Sequence, residues 1–92
     1  MLHCAQIRAA RGLLDWRQDD LAKAARIGIA TLRRIEDGTG PAMANMSTLL
    51  RIQAALEKAG VCFINPDSNG GIGVRLVKSP DQKETKRHMA RI

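Results

Sequence analysis

Apolar residues recur three and four apart through the first sixty positions, the spacing of amphipathic helices, and the period shortens after that. The first such stretch predicts a helix over Cys4 to Leu14, with Ile7, Ala10 and Leu14 on one face and Gln6, Arg8 and Arg11 around it. Asp15 turns the chain, since Asp tolerates the left-handed conformation better than most residues. Trp16 closes the core at the entry to a second helix, opened by Gln18-Asp19-Asp20, whose carboxylates suit the positive end of a helix dipole. Leu21, Ala22 and Ala25 form its apolar face. Arg26-Ile27-Gly28 interrupts the pattern, and Gly28 is the residue expected to supply the unusual backbone angles. A third helix is predicted from Ile29 to Asp37, with Leu32 and Ile35 inward and Gly38 as a left-handed C-terminal cap. Small Ala22 and Ala25 let the second and third helices cross closely.

Thr39 to Ala44, with Gly40 and Pro41, reads as a connecting loop. Asn45 is the expected N-cap of a fourth helix reaching about Ala59, ended by Gly60, with Leu49, Ile52, Leu56 and Ala59 inward. Two strand-like runs then flank the turn-forming stretch NPDSNGG: Val61–Ile64 and Gly73–Val77. They predict a β-hairpin, which is marginal alone and must pack on the helices or pair with another chain. The stretch from Lys78 to Ile92 is polar, basic and short of core residues, and reads as a disordered tail. The expected fold is therefore mainly α, four or five helices with a C-terminal β-hairpin. It divides into a helical unit at 1–60, a hairpin extension at 61–77 and a basic tail at 78–92.

Composition sharpens this reading in a few places. Aromatic residues are 2% of the chain, so the core has to be assembled from Leu, Ile, Val, Ala and Met, which favours packed helices over a sheet sandwich. No apolar run is long enough to span a bilayer, and the start of the chain has no secretory apolar run, so a cytoplasmic location is expected. The net charge of +6 suits a polyanionic partner or mere solubility. It is shared, with nine basic and six acidic residues up to Gly60 and six and three beyond. Cys4 and Cys62 lack metal-ligand spacing and read as reduced thiols, so no metal site is expected. No Gly-rich phosphate loop, HExxH or nucleophile beside a base is present; no cofactor and no enzymatic activity are expected.

Two short helices joined by a tight break, Leu21 to Gly38, have the form of a helix-turn-helix whose second member is available for a DNA groove. The residues around it resemble the phage-repressor-like DNA-binding domains of the Cro/CI or Xre type. The matching pieces are Arg11, then Gln18-x-x-Leu21-Ala22, then Thr31-Leu32-Arg33-Arg34-Ile35-Glu36-x-Gly38. The match continues through Thr48-Leu49-x-x-Ile52-x-x-Ala55-Leu56-Glu57-x-Ala59-Gly60, so it covers about Ile7 to Gly60. This chain departs from the family pattern at three positions. Arg26 stands where Gly is usual and Gly28 where Ser or Thr is usual, which suggests a shifted turn. Arg17 occupies a position that is usually a capping Ser or Thr.

The resemblance implies that the start of the third helix faces the major groove, which makes Ile29, Ala30 and Arg33 the base-reading candidates. Ile29 and Ala30 suit thymine methyl groups, and Arg33 suits the two acceptors of a guanine edge. The other reading is that Ile29 packs into the core and Arg33 meets phosphate. Gln18 and Thr31 are candidate phosphate anchors or helix caps, at helix starts that already favour anions. Arg17, Arg26 and Arg34 complete the phosphate set, with a solvated charge the other reading of Arg26. The family also pairs the positions of Arg11 and Glu36, which implies a structural ion pair holding the third helix.

The function expected is a sequence-specific transcriptional regulator, more repressor than activator, that binds double-stranded DNA as a homodimer, with the hairpin joining the two copies. Two alternatives remain. One is the antitoxin of a toxin–antitoxin pair that represses its own operon. The other is a protein-interaction module that has lost DNA binding, in keeping with the apolar Ile29-Ala30 pair and the lack of basic residues from Thr39 to Ala44.

Overall fold

The computed structural model describes residues 2–77. The expectation of a disordered tail at 78–92 lies outside them. Four helices come first, α1 (Cys4–Leu14), α2 (Gln18–Ala25), α3 (Ile29–Glu36) and α4 (Met46–Lys58), followed by an antiparallel hairpin of β1 (Val61–Ile64) and β2 (Gly73–Leu76). The chain is thus mainly helical with a C-terminal hairpin, as the apolar periods predict. Every helix contributes to one core, in which Ile7, Leu21, Leu32, Ile52 and Leu56 are fully enclosed. Leu49 and Ala59, expected beside Ile52 and Leu56, are half-buried.

The helix ends show where local chemistry sets the boundaries. Asn45 Oδ1 accepts the Thr48 N–H at 2.8 Å, an N-cap that satisfies one of α4's unpaired amides. At α2, Arg17 has no capping hydroxyl; Asp20 Oδ2 instead reaches back to the Arg17 N–H at 2.8 Å. Asp15 is left-handed at φ 56°. Its N–H donates to the Gly12 carbonyl and the Trp16 N–H to the Arg11 carbonyl, which closes α1 and folds half-buried Trp16 onto the core.

Gly38 departs from expectation. It has no positive φ; α3 ends at Glu36, and Asp37 caps it in the ordinary right-handed conformation. The glycine serves close approach instead. A Cβ there would lie 3.2 Å from the Cys4 sulfur, so the missing side chain lets the end of α3 press against the start of α1. The loop from Thr39 to Ala44 also carries unexpected order. The Cys4 N–H donates to the Gly40 carbonyl and the Ala42 N–H to the Leu2 carbonyl at 2.8 Å, a bridge that buries Leu2 and Ala42.

In the hairpin Val61 pairs with Leu76 and Phe63 with Val74, and these four pack on the core. Strand alternation turns Cys62, Ile64 and Arg75 to the opposite face. Gln6, expected on the surface of α1, is 3% exposed and fastens the hairpin to it. Its Nε2 donates to the Gly73 carbonyl at 3.0 Å and more weakly to that of Ile64, while its Oε1 accepts the His3 N–H at 2.9 Å. Both ends of the amide are used, so its burial is compensated. Cys4 and Cys62 are free thiols.

Candidate nucleic-acid interface

The break between α2 and α3 has an ordered hydrogen-bond closure. The Arg26 N–H donates to the Lys23 carbonyl at 3.2 Å and the Ile27 N–H to the Ala22 carbonyl at 3.0 Å, the paired bonds of a Schellman ending. That closure requires its left-handed residue at position 26, and Arg26 adopts φ 59°. Gly28 is extended at φ −71° and serves as the N-cap of α3, without a side-chain hydrogen bond. The expectation that Gly28 supplies the unusual angles is therefore corrected, and the turn has not shifted: a bonded position dictates the conformation, whichever residue occupies it. A non-glycine residue pays for this in backbone strain. Arg26→Gly is expected to raise stability by about 0.5–1 kcal/mol, less than the whole strain because glycine also loses more entropy on folding. Urea unfolding of the two proteins side by side checks it.

Helix α3 is divided sharply between two faces. Leu32, Ile35 and Glu36 are buried, whereas Ala30, Arg33, Arg34 and Asp37 are exposed. Those four stand at i, i+3, i+4 and i+7 and so form a single outward stripe. Ile29 lies between the two faces, half-buried and packed against the core. Thr31 is half-buried in the first turn. Asp37, which the sequence did not single out, shares the outward face with the two arginines.

Behind the stripe, the buried Glu36 carboxylate is held by a fork. Arg11 Nε donates to Oε2 at 2.8 Å and Nη2 to Oε1 at 2.7 Å, with Glu36 2% and Arg11 20% exposed. Arg11 Nη1 also donates to the Trp16 carbonyl at 3.1 Å. Bidentate geometry fixes the angle as well as the distance between the groups. Gln18 joins this cluster, its Nε2 donating to Glu36 Oε1 at 3.2 Å. The residue thus ties the first turn of α2 to α3. Arg17 and Arg26 are exposed at the two ends of α2, and Arg51 Nη1 donates to the Arg26 carbonyl.

Another side chain of α1 that the sequence left on the surface reaches α3. Arg8 Nη1 donates to the Glu36 carbonyl and, at 3.3 Å, to that of Gly38. Its only sequence signal is a place one turn before Arg11 on the same helix. Among the described residues no group of three His, Cys, Asp or Glu side chains converges as a metal site would require, and no helix is long and apolar enough to cross a membrane.

No curated protein matches the chain. A helix-turn-helix family model matches residues 7–59, from the first turn of α1 to the residue that caps α4, and this is more than half of the chain. With α3 exposed on one face and braced from behind on the other, the chain belongs to the Cro/C1-type helix-turn-helix family of DNA-binding regulators.

Proposed function

We propose that this protein is a sequence-specific regulator, acting as a repressor, that lays α3 in the major groove of its operator as a two-fold dimer. The observation that carries the proposal is the outward stripe Ala30–Arg33–Arg34–Asp37 on a helix whose other face is locked by Leu32, Ile35 and the Glu36–Arg11 fork. A reading helix needs both features, because base-edge hydrogen bonds discriminate only when their donors are held in place. In this reading Ala30 and the exposed part of Ile29 meet thymine methyl groups. Arg33 reads a guanine edge, and Arg17, Gln18, Arg26, Thr31 and Arg34 hold phosphates. Gln18 can do so only with its remaining hydrogen-bonding capacity, since its amide nitrogen is already on Glu36.

One such unit covers little DNA, so two half-sites about 34 Å apart are expected. Residues 1–60 would read the operator and the hairpin at 61–77 would join the copies, since a two-stranded sheet offers open edges. Because the inner face of the hairpin belongs to the core, the test of this join is a charge on its outer face. Ile64→Lys should shift the chain toward monomer in sedimentation, and an unchanged dimer would place the join elsewhere.

Fluorescence anisotropy with the DNA just upstream of the protein's own gene, beside a scrambled duplex at two salt concentrations, tests the main proposal. Tight, salt-weakened binding to the natural fragment alone is expected. Equal weak binding to both would reduce the protein to a basic surface at that locus. Arg33→Ala should then lose about 1–3 kcal/mol of discrimination at one base pair, seen across a panel of single-pair operator variants. A uniform loss over the panel would reassign Arg33 to phosphate.

A further inference from the structure

The four helices do not end alike. The residues after α1 and α2 close in left-handed Asp15 and Arg26, and α4 runs into Gly60 at φ 109°. Helix α3 has no such closure: Asp37 stays right-handed, its N–H bonded to the Arg33 carbonyl at 2.9 Å, and the Gly38 N–H makes a long 3.3 Å bond to that of Ile35. The last carbonyls of a helix need partners and carry the negative end of its dipole. At α3 the partner comes from another helix. The Arg8 guanidinium sits on the carbonyls of Glu36 and Gly38, and the bare α-carbon of Gly38 against Cys4 brings that end within its reach. Arg33 and Arg34 belong to the same last turn.

We propose that Arg8 is a positioning residue for DNA reading: it caps the C-terminal end of α3 from α1 and so orders the turn that presents Arg33 and Arg34. This rests on the reading of α3 as the recognition helix. Arg8 contacts no base in this scheme; it acts through the backbone that carries Arg33. Both bonds come from one nitrogen, Nη1; a lysine keeps the charge and a donor but carries it on a flexible stem without the planar guanidinium, so it restores the cap only in part.

The test compares the intact chain with Arg8→Met, which keeps the apolar stem, and with Arg8→Lys. Hydrogen exchange at the amides of Asp37 and Gly38 should quicken in Arg8→Met, while the core amides of Leu32 and Ile52 keep their protection. Binding is then measured to a duplex selected by the intact chain from a random pool, and to an unrelated duplex of equal length. The selected duplex should be bound about tenfold more weakly by Arg8→Met, the worth of one charge-assisted hydrogen bond, with Arg8→Lys between. Binding to the unrelated duplex and the salt slope should not change. Unaltered exchange at Asp37 and Gly38 overturns the proposal. So does an equal loss on both duplexes with a salt slope smaller by about one, which would make Arg8 a phosphate contact. If selection with the intact chain enriches no sequence while exchange responds as expected, the recognition reading of α3 is what fails, and the role proposed for Arg8 in DNA reading falls with it.

Discussion

Arg11→Met is expected to destabilise the protein by about 3–5 kcal/mol, the cost of leaving a buried carboxylate without its cation. Methionine retains most of the aliphatic stem, so the loss is chiefly electrostatic. Glu36 would keep only the Gln18 amide at 3.2 Å, and the Trp16 carbonyl would lose the donor it now has in Arg11. For a domain of this size such a change is a large share of the whole folding free energy. Chemical denaturation followed to completion measures it, and an unchanged midpoint would dispose of the pair as a structural brace. The double variant Arg11→Met with Glu36→Leu should recover much of the loss, because apolar residues of similar volume can replace a buried ion pair at little net cost. What it should not recover is the angular constraint of the fork. The double variant is therefore expected to fold well and read DNA poorly, separating the energetic from the orienting role.

The second large effect lies on α3, on the face turned away from the outward stripe. Leu32 is fully enclosed between α3 and the rest of the core. Leu32→Ala is expected to cost about 2–5 kcal/mol, the transfer free energy of the lost carbons plus the cavity left behind. Calorimetry reads it as a lower Tm with no change in binding per folded molecule at low temperature. Arg33→Ala, its neighbour, should do the reverse and alter DNA discrimination without altering Tm. If Leu32→Ala left stability intact, the packing of α3 described above would be wrong; if Arg33→Ala lowered Tm appreciably, Arg33 would be doing structural work that its exposure does not suggest.

These two neighbours also show what a sequence can and cannot disclose. The helices were legible because their apolar period is regular and their ends carry informative residues: Asp15, Asn45 and Gly60 act as their types predict. Gly28 and Gly38 misled for a common reason. Glycine permits a left-handed conformation but does not demand one; hydrogen-bond closure put that conformation on Arg26 in one turn and on no residue at the end of α3. Gln6 looked like any surface glutamine because its partners, the Gly73 and Ile64 carbonyls, come from strands almost sixty residues or more away. The pairing of Leu2–Cys4 with Gly40–Ala42 left no trace, since three residues are too few to establish an alternation. At the candidate interface the position of α3 and its outward residues could be read from periodicity. The Arg11–Glu36 fork came from the family resemblance and not from spacing, and the part taken by Arg8 needed the three-dimensional arrangement of α1 and α3. Which outward residue touches a base depends on the partner, and no pattern within one chain encodes that.

The chain carries one tryptophan and no tyrosine. Trp16 is half-buried, its carbonyl is bonded to the guanidinium that also holds Glu36, and α2 begins two residues later. Excitation in the near ultraviolet therefore addresses one indole, at the joint between α1 and the helix pair α2–α3. The wavelength and lifetime of its emission become an optical gauge of that joint, with no dye attached and no other fluorophore to subtract. A DNA-induced tightening of the brace would show as a spectral shift in the unmodified protein, and the same signal would be altered from the outset in Arg11→Met.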